Sequence, residues 1–152
     1  MFEYRCAILG VVDGDTVDVD IDLGFGVWLR NERVRIMGID TPESRTSNEV
    51  EKLFGLAAKK RLAEILGEKA ILRTQKPGKS DEKFGRILGD FVIGEKTAAG
   101  MLIEEGHAVP YFGDAKQNVQ DEHAINREKI LNLGLVNREE YEKTLIKESK
   151  ET

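Results

Sequence analysis

Residues 16–23 read Thr16-Val17-Asp18-Val19-Asp20-Ile21-Asp22-Leu23, an unbroken alternation of aliphatic and acidic side chains after the threonine. Successive side chains of an extended strand point to opposite faces, so Val17, Val19, Ile21 and Leu23 share one face and the three aspartates the other. This is the pattern of a half-buried strand. Upstream, residues 2–12 read as another strand, apolar from Cys6 to Val12. Downstream, Gly24-Phe25-Gly26 supplies a turn, and residues 27–39 return as a long third strand. Strands this close in sequence pair as hairpins, which predicts a β-meander.

The period then changes. Val50, Phe54, Ala58, Leu62 and Ile65 recur at helical steps, Asn48 with Glu51 resembles a capping box, and Gly67 is placed for a left-handed C-terminal turn. Residues 69–74 and 86–93 read as strands around a Pro77-Gly78 turn. Helices are expected over 98–105 and 119–133, with a last charged helix from Asn137 and fraying over 147–152. Five strands with a helix between the third and fourth predict an α+β, mainly β chain. Its expected form is a five-stranded Greek-key barrel of the OB type with three or four helices. An antiparallel sheet covered on one face gives the same pattern. The barrel domain is expected over 1–136, with 137–152 a charged helical tail.

At 152 residues the chain suits one domain, able to bury roughly 68–70% of its unfolded surface. Cys6 is the single cysteine, which excludes an internal disulfide and a cysteine zinc site; its apolar strand suggests a buried, inert thiol. No apolar run reaches the roughly 18 residues that span a bilayer, and the N-terminal segment lacks the apolar core of a signal peptide. An intracellular monomer with no membrane contact is expected. The net charge of −5 argues against coating duplex DNA by bulk electrostatics. Residues 69–86 nevertheless carry six basic against two acidic side chains, a local excess suited to a polyanion.

Chemistry concentrates in two segments: Asp13-Gly14-Asp15-Thr16, and Arg35 followed by Asp40-Thr41-Pro42-Glu43. Asp15 has the parity of Val17 and Val19, so it points inward, where an unpaired carboxylate is costly. Two carboxylates about 5 Å apart repel by roughly 3 kcal/mol at an effective dielectric of about 20. Gathering Asp15, Asp40 and Glu43 therefore requires a cation or arginines among them. Asp15, Asp40 and the Thr41 carbonyl are oxygen donors of the kind Ca²⁺ accepts in irregular geometry. Arg35 and Arg86 offer planar forks matched to phosphate. Asp18, Asp20 and Asp22 mimic the start of an EF-hand loop, but Leu23 and Leu29 stand where its glycine and bidentate glutamate belong, so they read as a solvated face. His107 and His123 lack a metal-ligand spacing and read as surface or satisfied histidines.

Three blocks, VVDGDTVDV (11–19), VRIMGIDTPE (34–43) and EKFGRILGDFV (82–92), resemble in order and spacing the staphylococcal nuclease (thermonuclease) homologues. VEKLFG (50–55) and AAGMLIEEGHA (98–108) support the likeness, which runs from about Ile8 to Phe112. The resemblance implies an OB-fold and Ca²⁺-dependent cleavage of DNA and RNA to 3′-phosphates; the complete carboxylate and arginine set suggests single strands or frayed ends as the substrate. By matching positions, Asp15, Asp40 and Thr41 would bind Ca²⁺, and Glu43 would position or deprotonate the attacking water. Arg35 and Arg86 would grip the scissile phosphate, while Lys83, Phe84, Tyr111 and Phe112 would contact nucleotide. Phe84 departs from the tyrosine common at that position, and the acidic charge departs from the basic balance of many members. The alternative is a catalytically inactive OB-type module that binds nucleic acid or protein.

Overall fold

The computed structural model describes residues 2–75, 85–112 and 116–151. Three long strands come first: β1 (Phe2–Asp13), β2 (Thr16–Gly24) and β3 (Val27–Ile36). A two-residue strand β4 (Ile39–Asp40) leads to helix α1 (Glu49–Leu66) and strand β5 (Lys69–Thr74). Then follow β6 (Ile87–Ile93), β7 (Lys96–Thr97), α2 (Ala98–Glu104), β8 (Val109–Pro110), α3 (Lys116–Asn132) and α4 (Arg138–Glu151). No described helix is long and apolar enough to cross a membrane.

Five strands form the expected OB-like barrel. β1 pairs antiparallel with β2 and β5, β2 with β3, and β5 with β6. A parallel seam of β3 with β6 joins the ends, Val34 opposite Ile87, Arg35 opposite Leu88 and Ile36 opposite Gly89. The seam is short and leaves the first part of β3 outside the closure, so the barrel is not cleanly shut. It does set Arg35 and Arg86 on adjoining strand ends at one rim.

The alternation in β2 is realised where the barrel closes over it: Val17, Val19 and Ile21 are buried with Val34, Ile36, Leu72 and Phe91. Leu23 is not. It sits half-exposed at the hairpin end with Phe25 and Val27, because the strand outruns the barrel there. Asp18 and Asp20 pair with Arg33 and Arg30 across β3, and the Asp22 carboxylate accepts from the Gly24 amide, as a solvated face would. Trp28 is part-exposed under the Arg30 guanidinium, 4.8 Å from the ring centroid. Cys6 is buried, and burial pushes its thiol pKa up to about 12.

Two further expectations are corrected. The third strand does not run to Ile39: it stops at Ile36, and Gly38 at φ +81° turns the chain so that Ile39 and Asp40 pair with β8 instead. Nor do residues 147–150 fray. α4 runs to Glu151 because it docks on α1: Lys147 pairs with Glu49 at 3.1 Å, and Val50 N–H donates to the Glu148 carboxylate. Tyr141 meets Phe54 edge-on, 5.7 Å between centroids, within a second core of Val50, Phe54, Ile130, Leu131 and Val136.

Candidate active site

The rim where β3 meets β6 opens into a cleft of about 610 Å³. Six residues expected from sequence line it together: Asp15, Arg35, Asp40, Thr41, Glu43 and Arg86. Asp13 and Arg45 join them. The walls are therefore four carboxylates against three guanidinium groups, an excess of negative charge that would repel a phosphate unless a cation reverses it.

Each position has a local cause. Asp15 follows the β1–β2 turn, and Ile36 N–H donates to its backbone carbonyl at 2.8 Å, which ties the turn to β3. Its carboxylate accepts from the Thr16 hydroxyl at 2.9 Å and lies 3.5 Å from Arg35. Arg35 is threaded rather than free: its guanidinium donates to the Ile36 and Ile39 carbonyls, the latter at 2.8 Å. One arginine thus braces the turn that delivers Asp40 while facing Asp15.

The Glu43 loop is held from three sides. Glu43 N–H donates to Glu51 Oε1 at 3.3 Å. Asn48 caps α1 by accepting from Glu51 N–H, as expected, but the reciprocal half of the capping box is absent because the Glu51 carboxylate serves the loop. Buried Ser44 donates through its hydroxyl and its amide to Asp13 Oδ1. Finally, α1 presents Gly55 to the loop: a Cβ there would lie 2.2 Å from the Glu43 carbonyl oxygen. Gly14 plays a similar part below, where a Cβ would meet Ala58 at 2.8 Å and Thr41 at 3.1 Å.

Asp40 has a partner that spacing could not reveal. Buried His123 of α3 places Nε2 2.8 Å from Asp40 Oδ2, so this histidine belongs to the rim of the site. His107 is buried too, and burial lowers its pKa. Tyr111 borders a neighbouring groove with Asp40, Thr41, Glu43 and Glu51. Phe112 does not: largely exposed, it lies over Gly38 on another face with Met37 and Ile103. Lys83 and Phe84 lie outside the described residues.

The donor set fits a hard cation. Asp15, Asp40 and the Thr41 backbone are all oxygen donors, and the buried Thr41 hydroxyl has no hydrogen-bond partner among the described residues. Among those residues no three Asp, Glu, His or Cys side chains are grouped to hold an ion by themselves.

A sequence profile described as "Staphylococcal nuclease homologue" matches residues 33–130. The chain belongs to this family. The matched span holds Arg35, Asp40, Thr41, Glu43 and Arg86; it begins after Asp15, whose place in the site rests on the cleft itself. The chain is 32% identical over 102 residues to the thermonuclease of Staphylococcus intermedius, covering 67% of this chain and 56% of that protein. It is 30% identical over 125 residues to the SPbeta prophage-derived endonuclease YokF of Bacillus subtilis (strain 168), covering 78% and 40%. Against the micrococcal nuclease of Shigella flexneri it is 31% identical over 87 residues, covering 57% and 41%. The chain thus spans about half the length of these relatives.

Proposed function

We propose that this staphylococcal nuclease homologue is a Ca²⁺-dependent nuclease that hydrolyses phosphodiester bonds of DNA and RNA to 3′-phosphate products, acting on single strands or frayed ends as a monomer. The observation that carries the reading is the convergence of Asp15, Arg35, Asp40, Thr41, Glu43 and Arg86 in one cleft. The relatives' names, thermonuclease and endonuclease among them, point the same way.

Asp15, Asp40 and the Thr41 carbonyl would hold the ion. Bound there, Ca²⁺ supplies positive charge beside the scissile phosphate and reverses the acidic excess of the cleft. Glu43, pinned by Glu51, Ser44 and Gly55, orients the attacking water and takes its proton. Arg35 and Arg86 donate to the equatorial oxygens as charge builds on them. Water oxygen bonds to phosphorus, the bond to the 5′ oxygen breaks, and that oxygen leaves as a hydroxyl on taking a proton from solvent, while Glu43 later returns the water's proton to solvent. Tyr111 lies beside the cleft where a base can stack, a contact typically worth about 1–3 kcal/mol.

The test is cleavage of single-stranded DNA and RNA by the purified chain with Ca²⁺ and with chelator, followed by end-group analysis. Chelator-sensitive cleavage leaving 3′-phosphates is expected. Binding without turnover in Ca²⁺ would overturn the reading in favour of the inactive module.

A further inference from the structure

The Asp40–His123 bond ties the cleft to α3, an element with no other expected site residue. Asp40 stands on a two-residue strand held by β8, and its side chain is 38% exposed. His123 comes from 83 positions away, is itself buried, and lines a small cavity together with Pro42, His107, Asn126 and Arg127. A carboxylate oxygen has no proton to give, so His123 Nε2–H is the donor in this 2.8 Å contact. A part-exposed aspartate on so short a strand otherwise keeps its side-chain freedom, whereas a buried, packed donor fixes the carboxylate plane.

We propose that His123 is a positioning residue: it presets the Asp40 carboxylate for the cation, so that α3 acts as the outer support of the metal site. The inference rests on the reading of Asp40 as a Ca²⁺ ligand. Groups that orient a ligand in this way typically contribute 10–100-fold to metal affinity. The surroundings suit a fixed role. Asn126 Nδ2 donates to the Ala108 carbonyl, Val109 beside it pairs with Asp40, and His107, Ala108 and Val109 are buried.

The experiment measures Ca²⁺ affinity of the full chain by titration calorimetry, beside thermal unfolding in chelator and DNA cleavage across Ca²⁺ concentrations. His123→Leu is expected to weaken Ca²⁺ binding about 10–100-fold, with cleavage returning when Ca²⁺ is raised to restore occupancy. His123→Gln, whose amide replaces Nε2–H, is expected to recover most of the lost affinity. Unchanged affinity in His123→Leu, with the parent binding and cutting normally, overturns this inference alone. So does a fall in melting temperature without a fall in affinity. A parent chain that neither binds Ca²⁺ nor cuts overturns the nuclease reading, and this inference with it. If His123→Leu does not fold, nitrogen NMR of the parent decides: an Nε2-protonated His123 whose resonances move on Ca²⁺ addition supports the role, and a ring indifferent to Ca²⁺ refutes it.

Discussion

Gly55→Ala is the substitution that isolates the Glu43 loop. The added methyl would sit 2.2 Å from the Glu43 carbonyl oxygen, 2.4 Å from its carbon and 2.6 Å from Ser44 nitrogen. These are backbone atoms, so no side chain can swing aside. Ordinary contact begins near 3.4 Å, and the loop and α1 must separate by about 1.2 Å. Alanine favours an interior helix position by roughly 0.8–1.0 kcal/mol over glycine, whereas overpacking typically costs about 1–3 kcal/mol. The net change in stability is therefore small, between about zero and 2 kcal/mol of loss. The effect on chemistry is larger. A displacement of about 1 Å at a reacting group can cost roughly 100-fold in rate. Gly55→Ala is thus expected to lower kcat about 100-fold on single-stranded DNA at saturating Ca²⁺, with a melting temperature no more than about 8 °C below that of the parent. Gly10→Ala, where a Cβ meets nothing within 4 Å, is the control. Parent-like kcat in Gly55→Ala would refute the claim that α1 sets the position of Glu43.

Other measurements probe the arginines and the buried groups. Arg86→Ala is expected to reduce kcat about 10²–10³-fold, the scale of one lost transition-state donor, as read by steady-state cleavage. If each of the three arginines lining the cleft meets one phosphate, the affinity for single-stranded DNA falls with a log–log salt slope of about −2, measured by fluorescence anisotropy in Ca²⁺ with an uncleavable oligonucleotide. Burial holds His107 below its ordinary pKa, so the unfolded chain takes up a proton first as pH falls. Stability present above about pH 6.5 is then lost progressively on acidification, by at most about 1.4 kcal/mol per pH unit. Chemical denaturation of the parent and His107→Leu should show that slope only in the parent; the comparison cancels Asp90, whose burial raises its pKa and acts in the opposite sense. Cys6, with its thiol pushed up to about 12, should resist alkylation at neutral pH until the chain unfolds, as mass spectrometry would show.

What could be read in advance was what depends on local period. Parity with Val17 and Val19 points Asp15 inward, and it is found in the turn before β2, lining the rim cleft; helical spacing with a cap delimits α1 at Asn48 and Gly67. Leu23 escaped the same parity argument because alternation says which way a side chain points, not where the barrel ends. The break after Ile36 was missed because Ile39 continues an aliphatic pattern; Gly38 was the available signal, and its positive φ decides the matter. Glu51 looked like half of a capping box, yet its carboxylate is used by Glu43. His123 and Gly55 were beyond reach for a different reason. Their significance lies in contacts across 83 and 12 positions, and no local pattern distinguishes a histidine facing solvent from one facing Asp40.

The acidic balance of the chain acquires a physical meaning from this arrangement. A protein of net charge −5 gains little from long-range attraction to a polyanion. Two of the three aspartates of β2 are paired on the outer face of the hairpin, Asp18 with Arg33 and Asp20 with Arg30. Within the cleft the balance is close, and a single divalent ion turns an acidic excess into a basic one. On the proposed Ca²⁺ reading, substrate binding and catalysis depend on the same ion, and removing it is expected to abolish affinity together with turnover. A basic nuclease surface would separate the two, retaining grip without metal, whereas on the proposed Ca²⁺ reading a cleft walled by Asp15 and Asp40 together with Arg35 and Arg86 makes them fail together.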